Sequence, residues 1–383
     1  MTESSPPIRA GMIGGGQGAF IGQVHRMAAR LDGDFAWVCG AFSRDADNNQ
    51  ATGAGLGIAP ERVYADWQTL IEQEQRLPVD QRIQLLVIAT PNHLHVPIAR
   101  AALAAGLHVF SEKPAGVSTA EVADLAQQLG ASGRLYGLAH TYLGYPLVWQ
   151  AREMIARGEL GDLRKIHVEY PQGWLGEIGD NAGAWRADPA QSGAGGCLGD
   201  IGTHAFTLAE FVSGHQIDSV RASLGVHAEG RQLDDDADVL FRTRQGASGT
   251  LIASQVCSGE ENGLKIRLYG ELGGLEWQQM EPNTLIHRQH GAPQRCLRAG
   301  TDRPGLYPAA QARLRLPVGH PEGYLEALAN LYRDFAAAIR RGASGTPDGV
   351  PGIKDGLRGM AFIDAAIVSH GGGEPWARLD VPT

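Results

Sequence analysis

At 383 residues, 43% hydrophobic and 20% charged, the chain has the composition of a water-soluble globular protein and the length of two domains. A formal net charge of −9 excludes the basic footprint of a nucleic-acid binder, and no apolar run approaches the ~20 residues that cross a bilayer. Cys39, Cys197, Cys257 and Cys296 have no paired spacing, which argues against a disulfide framework or structural zinc and for a reduced, cytoplasmic setting. The opening residues, Met1 to Pro7, lack the charged and apolar regions of a signal peptide.

Residues 8 to about 140 alternate strand-like and helix-like segments. Ile8 to Ile13 is an apolar run ending in glycines, and a helical stretch follows from Gly22 to Leu31. Phe35 to Phe42 and Ile83 to Ala89 read as buried strands, and the alanine-rich Val96 to Ala105 favours helix. Leu107 to Phe110 is a short strand that stops at Ser111-Glu112-Lys113-Pro114. Ser118 to Leu129 forms an amphipathic helix, with Ser118 or Thr119 as N-cap and Glu121 in its first turn. Strands that are apolar throughout and alternate with helices predict an α/β fold: a doubly wound parallel sheet, or Rossmann domain, over residues 1–140. Ligands of such a sheet bind beyond the carboxyl ends of its strands.

Past residue 140 the rhythm changes. A helix from Leu147 to Arg157 closes at Gly158, and a second, Gly199 to Val212, follows a glycine-rich loop. Strand-like stretches then run through Ser219–His227, Ala237–Thr243, Ser248–Val256, Leu264–Tyr269 and Leu275–Gln279. Gly291 to Pro308 reads as an exposed loop, and Asp234-Asp235-Asp236 as a solvated loop rather than a metal site. Helices about Tyr324–Arg341 and Ile353–Ser369 finish the chain. Residues 141–383 are therefore expected to form an α+β domain with a large, mostly antiparallel sheet, the last helices packing back on the first domain.

Several clusters carry chemistry. Gly14, Gly16, Gln17, Gly18, Ala19 and Phe20 lie between the first strand and first helix, where bare backbone approaches a pyrophosphate. The next glycine is Gly22, so this loop is about three residues longer than the usual fingerprint. At the end of the second strand Ser43 and Arg44 suit a 2′-phosphate and no acid occupies the expected position, which favours NADP over NAD despite the nearby Asp45. Thr90, Asn92 and His95 follow the third strand at the cofactor crevice, although histidines there are often structural. Glu112 and Lys113 end a strand at the carboxyl edge, where both are expected to meet the cofactor and the lysine can steady a substrate oxygen. Asp200 and His204, four apart on a predicted helix, share a face. The imidazole can take a hydroxyl proton, and the carboxylate can orient it or bind substrate. No third ligand stands near them, so no metal is expected.

In order along the chain, the glycine loop, Thr90-Pro91-Asn92 with His95, Glu112-Lys113-Pro114, Gly158-Glu159-Leu160-Gly161, Trp185-Arg186 and the string Gly195 to His204 resemble the Gfo/Idh/MocA oxidoreductases (glucose-fructose oxidoreductase, inositol dehydrogenase and rhizopine catabolism proteins). The resemblance implies an NAD(P)-dependent enzyme moving hydride to or from a secondary alcohol of a sugar, cyclitol or related polyol. It implies Lys113 as catalytic lysine on a cis Lys113–Pro114 bond, His204 as acid/base, and Asp200 as its neighbour and a substrate ligand. His140, Tyr142, Tyr170, Trp174, Trp185 and Arg186 are implied around the substrate, and a homodimer or homotetramer as the assembly. The alternatives are a cofactor-binding regulator without catalysis and an NAD-dependent glycoside hydrolase.

Overall fold

The computed structural model describes residues 6–175, 185, 188–372 and 376–382. It divides into two compact units: residues 1–116, 120–139 and 328–356 in the first, and 117–119, 140–327 and 357–383 in the second.

The first unit runs β1 (Ile8–Gly14), α1 (Phe20–Leu31), β2 (Phe35–Ala41), α2 (Ala46–Gly55), α3 (Trp67–Arg76), β3 (Leu85–Ala89), α4 (His95–Ala104), β4 (His108–Ser111), α5 (Thr119–Ser132) and β5 (Tyr136–Leu138). The five strands are parallel and ordered β2-β1-β3-β4-β5, so β1 is flanked by β2 and β3. Chain direction away from β1 reverses at that point, and the carboxyl ends of β1 and β3 border a crevice of the kind that takes dinucleotides. Leu85, Leu86, Val87 and Ile88 are all inaccessible to solvent, as expected of a strand covered on both faces. The sequence pattern missed α2 and α3. Both are polar, and each starts on an aspartate cap: Asp45 accepts from Asn48 N–H and Asp66 from Thr69 N–H.

The second unit contains α6 (Pro146–Ala156), β6 (Leu163–Pro171), the single-turn α7 (Pro189–Ser192) and α8 (Thr203–Ser213). It continues with β7 (Ile217–Gly225), β8 (Asp236–Thr243), β9 (Ser248–Ser254), β10 (Lys265–Gly270), β11 (Gly273–Gln278), β12 (Thr284–Gln289) and β13 (Arg295–Arg298). Along the chain, α9 (Pro308–Gln311) is followed by two long helices, α10 (Tyr324–Arg340), which belongs to the first unit from residue 328 on, and α11 (Ile353–His370), which belongs to the second from residue 357 on, and then by β14 (Ala377–Arg378). The sheet order is β13-β12-β11-β10-β6-β9-β8-β7-β14, antiparallel except for the β6–β9 pair. On β8, Ala237, Val239 and Phe241 are buried and the residues between them face outward, the alternation of a sheet covered on one side. β13 corrects the expected loop from Gly291 to Pro308. Its four residues are mostly exposed at a sheet edge, where no buried face imprints a pattern.

Candidate active site

In the first unit β1 ends on glycines that bare backbone alone permits. Gly14, Gly15 and Gly18 have φ of 77°, 70° and 85°. A Cβ on Gly14 would lie 2.3 Å from the Ala89 carbonyl oxygen, and one on Gly22 would lie 2.3 Å from the Gly15 Cα. Gly22 thus takes the part of the fingerprint's last glycine, the close approach of helix to loop, with three extra residues looped out before it. Around Gly18 nothing stands within 4 Å of the added carbon.

The loop is braced by residues the motif reading missed. Gln17 N–H donates to Asn48 Oδ1 (3.0 Å) and Thr52 Oγ1 (3.1 Å), and Asn48 Nδ2 returns a bond to the Gln17 carbonyl (2.9 Å). Arg26 donates to the Gly15 carbonyl. α1 begins after Ala19, which supplies no side-chain cap, and no acid lies in its first turn, so the helix end keeps its positive polarity for an anion. Thr90 Oγ1, beside the Gly14 turn, is buried without a hydrogen-bond partner. An uncapped helix end, an open glycine turn and an orphaned hydroxyl fit a dinucleotide. Ser43 Oγ accepts from Asp45 N–H, and Arg44 is exposed.

The ends of β3 and β4 are tied together. His95, fully buried, places Nδ1 2.7 Å from the Pro114 carbonyl oxygen and Nε2 2.9 Å from that of Thr90. Burial depresses its protonation, against the pull of the two carbonyls. Asn92 is buried in the single 3₁₀ turn that precedes α4. Lys113, half-buried, follows β4, and its bond to Pro114 is cis. Glu112 is buried, with Oε1 2.8 Å from His25 Nε2 and Oε2 accepting from Lys113 N–H (3.2 Å). His25 Nδ1 lies 2.7 Å from the Tyr332 hydroxyl. Burial raises the Glu112 pKa, but the His25 hydrogen bond and charge, then Lys113 and His95, outweigh it and hold the carboxyl below the ordinary range.

In the second unit the glycine-rich string enters a turn of π-helix, Leu198–Gly202, that runs directly into α8. Wide turns of this kind often mark functional positions. Asp200 sits in that turn and accepts from Gln255 Nε2 (3.0 Å), and His204 lies in the first turn of α8. His204 Nδ1 is 3.3 Å from His140 Nδ1, and its ring meets Tyr142 edge to face at 4.8 Å. Tyr170 O–H donates to Asn262 Oδ1 (2.6 Å), and Asn262 Nδ2 donates to the Tyr142 oxygen (3.1 Å). With the Tyr170 proton so placed, Tyr142 donates to Tyr170. Burial, reinforced by mutual proximity, pushes the Tyr142 phenol up, and burial likewise raises Tyr170.

His140, Tyr142, Tyr170 and His204 therefore form one cluster with Asn262. Trp174 and Trp185 are half-buried in turns, and Arg186 lies outside the described residues. The acidic run is no solvated loop: Asp234 and Asp235 are buried. Asp234 accepts from Gly196 N–H (2.6 Å), Leu198 N–H (2.8 Å) and the Cys197 thiol (3.1 Å), fixing the turn that carries Asp200. Asp235 accepts from His227 and Ala228 N–H. Orphaned backbone donors, invisible in a linear sequence, draw these carboxylates inward.

Comparison with known proteins places both parts of the chain in one family. The oxidoreductase family with an NAD-binding Rossmann fold matches residues 8–140, and the GFO/IDH/MocA C-terminal domain matches residues 148–276. An inositol dehydrogenase homolog from Azotobacter vinelandii, solved with NAD+, is 38% identical over 98% of each chain, with a TM-score of 0.92. The homolog from the same organism solved with NADH and myo-inositol has a TM-score of 0.90 at 37% identity, covering 98% of both chains. Levoglucosan dehydrogenase from Pseudarthrobacter phenanthrenivorans is 27% identical over 98% of each sequence. The chain belongs to the Gfo/Idh/MocA family and is an NAD-binding oxidoreductase.

Proposed function

We propose that the protein transfers hydride reversibly between NAD(H) and a secondary alcohol of a cyclitol or sugar-like polyol. The observation that carries this reading is His204, a buried imidazole whose Nδ1 meets His140 and whose ring edge meets Tyr142, four residues past the Asp200 carboxylate. Bound at the glycine turn, the dinucleotide supplies the hydride acceptor. Gly14, Gly16, Gln17, Gly18, Ala19 and Phe20 hold its diphosphate, with Thr90, Asn92 and His95 shaping the floor at the end of β3.

Lys113 donates to the substrate oxygen and stabilises the negative charge that develops there. His204 accepts the hydroxyl proton at Nε2, since Nδ1 is engaged with His140. Asp200 binds a neighbouring hydroxyl and favours the protonated ring once the proton has arrived. Tyr142, Tyr170, Trp174, Trp185 and Arg186 complete the substrate contacts. NAD(H) is the cofactor taken here, because the two Azotobacter relatives were solved with NAD+ and NADH. Exposed Arg44 beside Ser43 is the feature that supports NADP(H) instead.

We also propose a homodimer or homotetramer built on the outer face of the large sheet, where Leu240, Ile252 and Tyr269 are exposed. Four free thiols support a cytoplasmic location. No helix among the described residues is long and apolar enough to cross a membrane.

The test is turnover by the purified protein with NAD+ or NADP+ against a panel of inositols, aldoses and anhydrosugars, followed by reduced-cofactor absorbance. Oxidation of at least one cyclitol or sugar with NAD+ is expected. A panel inert with both cofactors contradicts the proposal.

A further inference from the structure

Three polar side chains lie in the interior of the first unit, where the proposed chemistry gives them no part. His25 on α1 is 0% exposed, Tyr332 on α10 is 1% and Glu112 after β4 is 8%. Burying a phenol, an imidazole and a carboxylate together is costly unless every donor meets an acceptor. The hydrogen bonds link the three groups in one line. Burial, with the Glu112 charge adding to it, keeps Tyr332 protonated, and its hydroxyl meets His25 Nδ1 across 2.7 Å. On the other side of the ring, Nε2 donates to Glu112 Oε1 across 2.8 Å. The other carboxylate oxygen, Oε2, accepts Lys113 N–H at 3.2 Å. Both ring nitrogens are engaged in this arrangement.

The line begins on α10, crosses α1 and ends on the backbone of Lys113. α1 is the helix whose N-terminus closes the glycine turn, so the contact joins the cofactor-binding helix to the strand end that carries the lysine. Beyond the lysine, the chain is fastened again where His95 meets the Pro114 carbonyl.

We propose that Tyr332, His25 and Glu112 are positioning residues for Lys113, a buried relay that fixes the backbone from which its side chain departs. This rests on the reading of Lys113 as the residue that holds the substrate oxygen. Group placement within about 1 Å governs rate far more than binding, so loosening the relay should lower kcat by roughly 10- to 100-fold with little change in KM.

The experiment compares wild type with His25→Leu, His25→Gln and Tyr332→Phe. His25→Gln retains an amide donor toward Glu112, and Tyr332→Phe removes one hydroxyl and is the variant to read should His25→Leu fail to fold. Three quantities are measured: kcat and KM for the polyol, NADH affinity by fluorescence, and the rate of Lys113 acetylation by acetic anhydride. Mass spectrometry reads that rate, with Lys165, Lys265 and Lys354 as internal references. Expected are a loss of kcat in His25→Leu and a smaller loss in Tyr332→Phe, with NADH affinity within about twofold of wild type and recovery in His25→Gln. Lys113 acetylation should change in the same order while the reference lysines do not. Wild-type acetylation of Lys113 in both His25→Leu and Tyr332→Phe overturns the proposal, as does a kcat loss matched by an equal loss of NADH affinity. A wild-type enzyme inert toward polyols contradicts the proposed function alone, because the acetylation rates still decide the relay.

Discussion

Asn262 joins two tyrosine hydroxyls in a closed circuit, and that circuit limits what a ligand meets there. Tyr142 and Tyr170 each commit their single hydrogen inside the cluster, so a substrate hydroxyl reaching either oxygen must itself be the donor. Asn262→Ala breaks the circuit and releases both rings. The polyol KM is expected to rise about tenfold with a smaller change in kcat, as for loss of an interaction made equally in ground and transition states; an unchanged KM in steady-state assays argues against this role. At this scale the sequence displayed the groups with a motif or a strand end to mark them: Lys113, Asp200 and His204. It concealed Asn262, Gln255 and the inward turn of Asp234, whose roles arise only when distant backbone N–H and side-chain groups are brought to them. Histidine at position 25 reads simply as one polar residue in an amphipathic helix, and nothing local to it announces Glu112 or Tyr332 as partners.

Among the elements, the glycine turn and α1 behave as one piece because Gly15 and Gly22 touch. Spacing alone made Gly22 look displaced from the fingerprint. The contact shows the same steric demand met with a longer loop. Gly22→Ala is expected to weaken NADH binding at least about tenfold, since its Cβ would drive α1 off the loop and so move the helix end away from the diphosphate. Fluorescence titration checks this, and retained affinity would separate the loop from cofactor binding.

β4 adds a pH effect. His108, at its start, accepts Leu135 N–H on Nδ1, and burial, then the charge of Arg134, push its pKa down to about 4. In the unfolded chain it titrates near 6.5, so between these values the unfolded state holds the extra proton and folding stability rises with pH. The contribution, of the order of 3 kcal/mol, is complete above about pH 6.5 and fades as pH falls toward 4. Urea midpoints at pH 7 and pH 5 should separate for wild type and draw together in His108→Asn; equal separation in both proteins contradicts the assignment.

For the molecule as a whole, two kinds of sheet left two kinds of trace. Continuous apolar runs such as Leu85–Ala89 announced a parallel sheet buried on both faces, and period-two stretches such as Asp236–Thr243 announced one covered on a single face. β13 and β14, short and at opposite edges of the large sheet, left no such trace. The split of α10 between the two units was also beyond local pattern, because its apolar stripe says only that it packs and not against what.

The central claim is that His204 is the acid–base group of a hydride-transfer enzyme, and the most direct measurement is the paired effect of His204→Ala on turnover and on NADH affinity. Loss of a general base costs about 10²- to 10⁴-fold in kcat, and NADH should still bind within about twofold of wild type. A variant that turns over polyol at the wild-type rate, or loses NADH binding as steeply as turnover, contradicts the account.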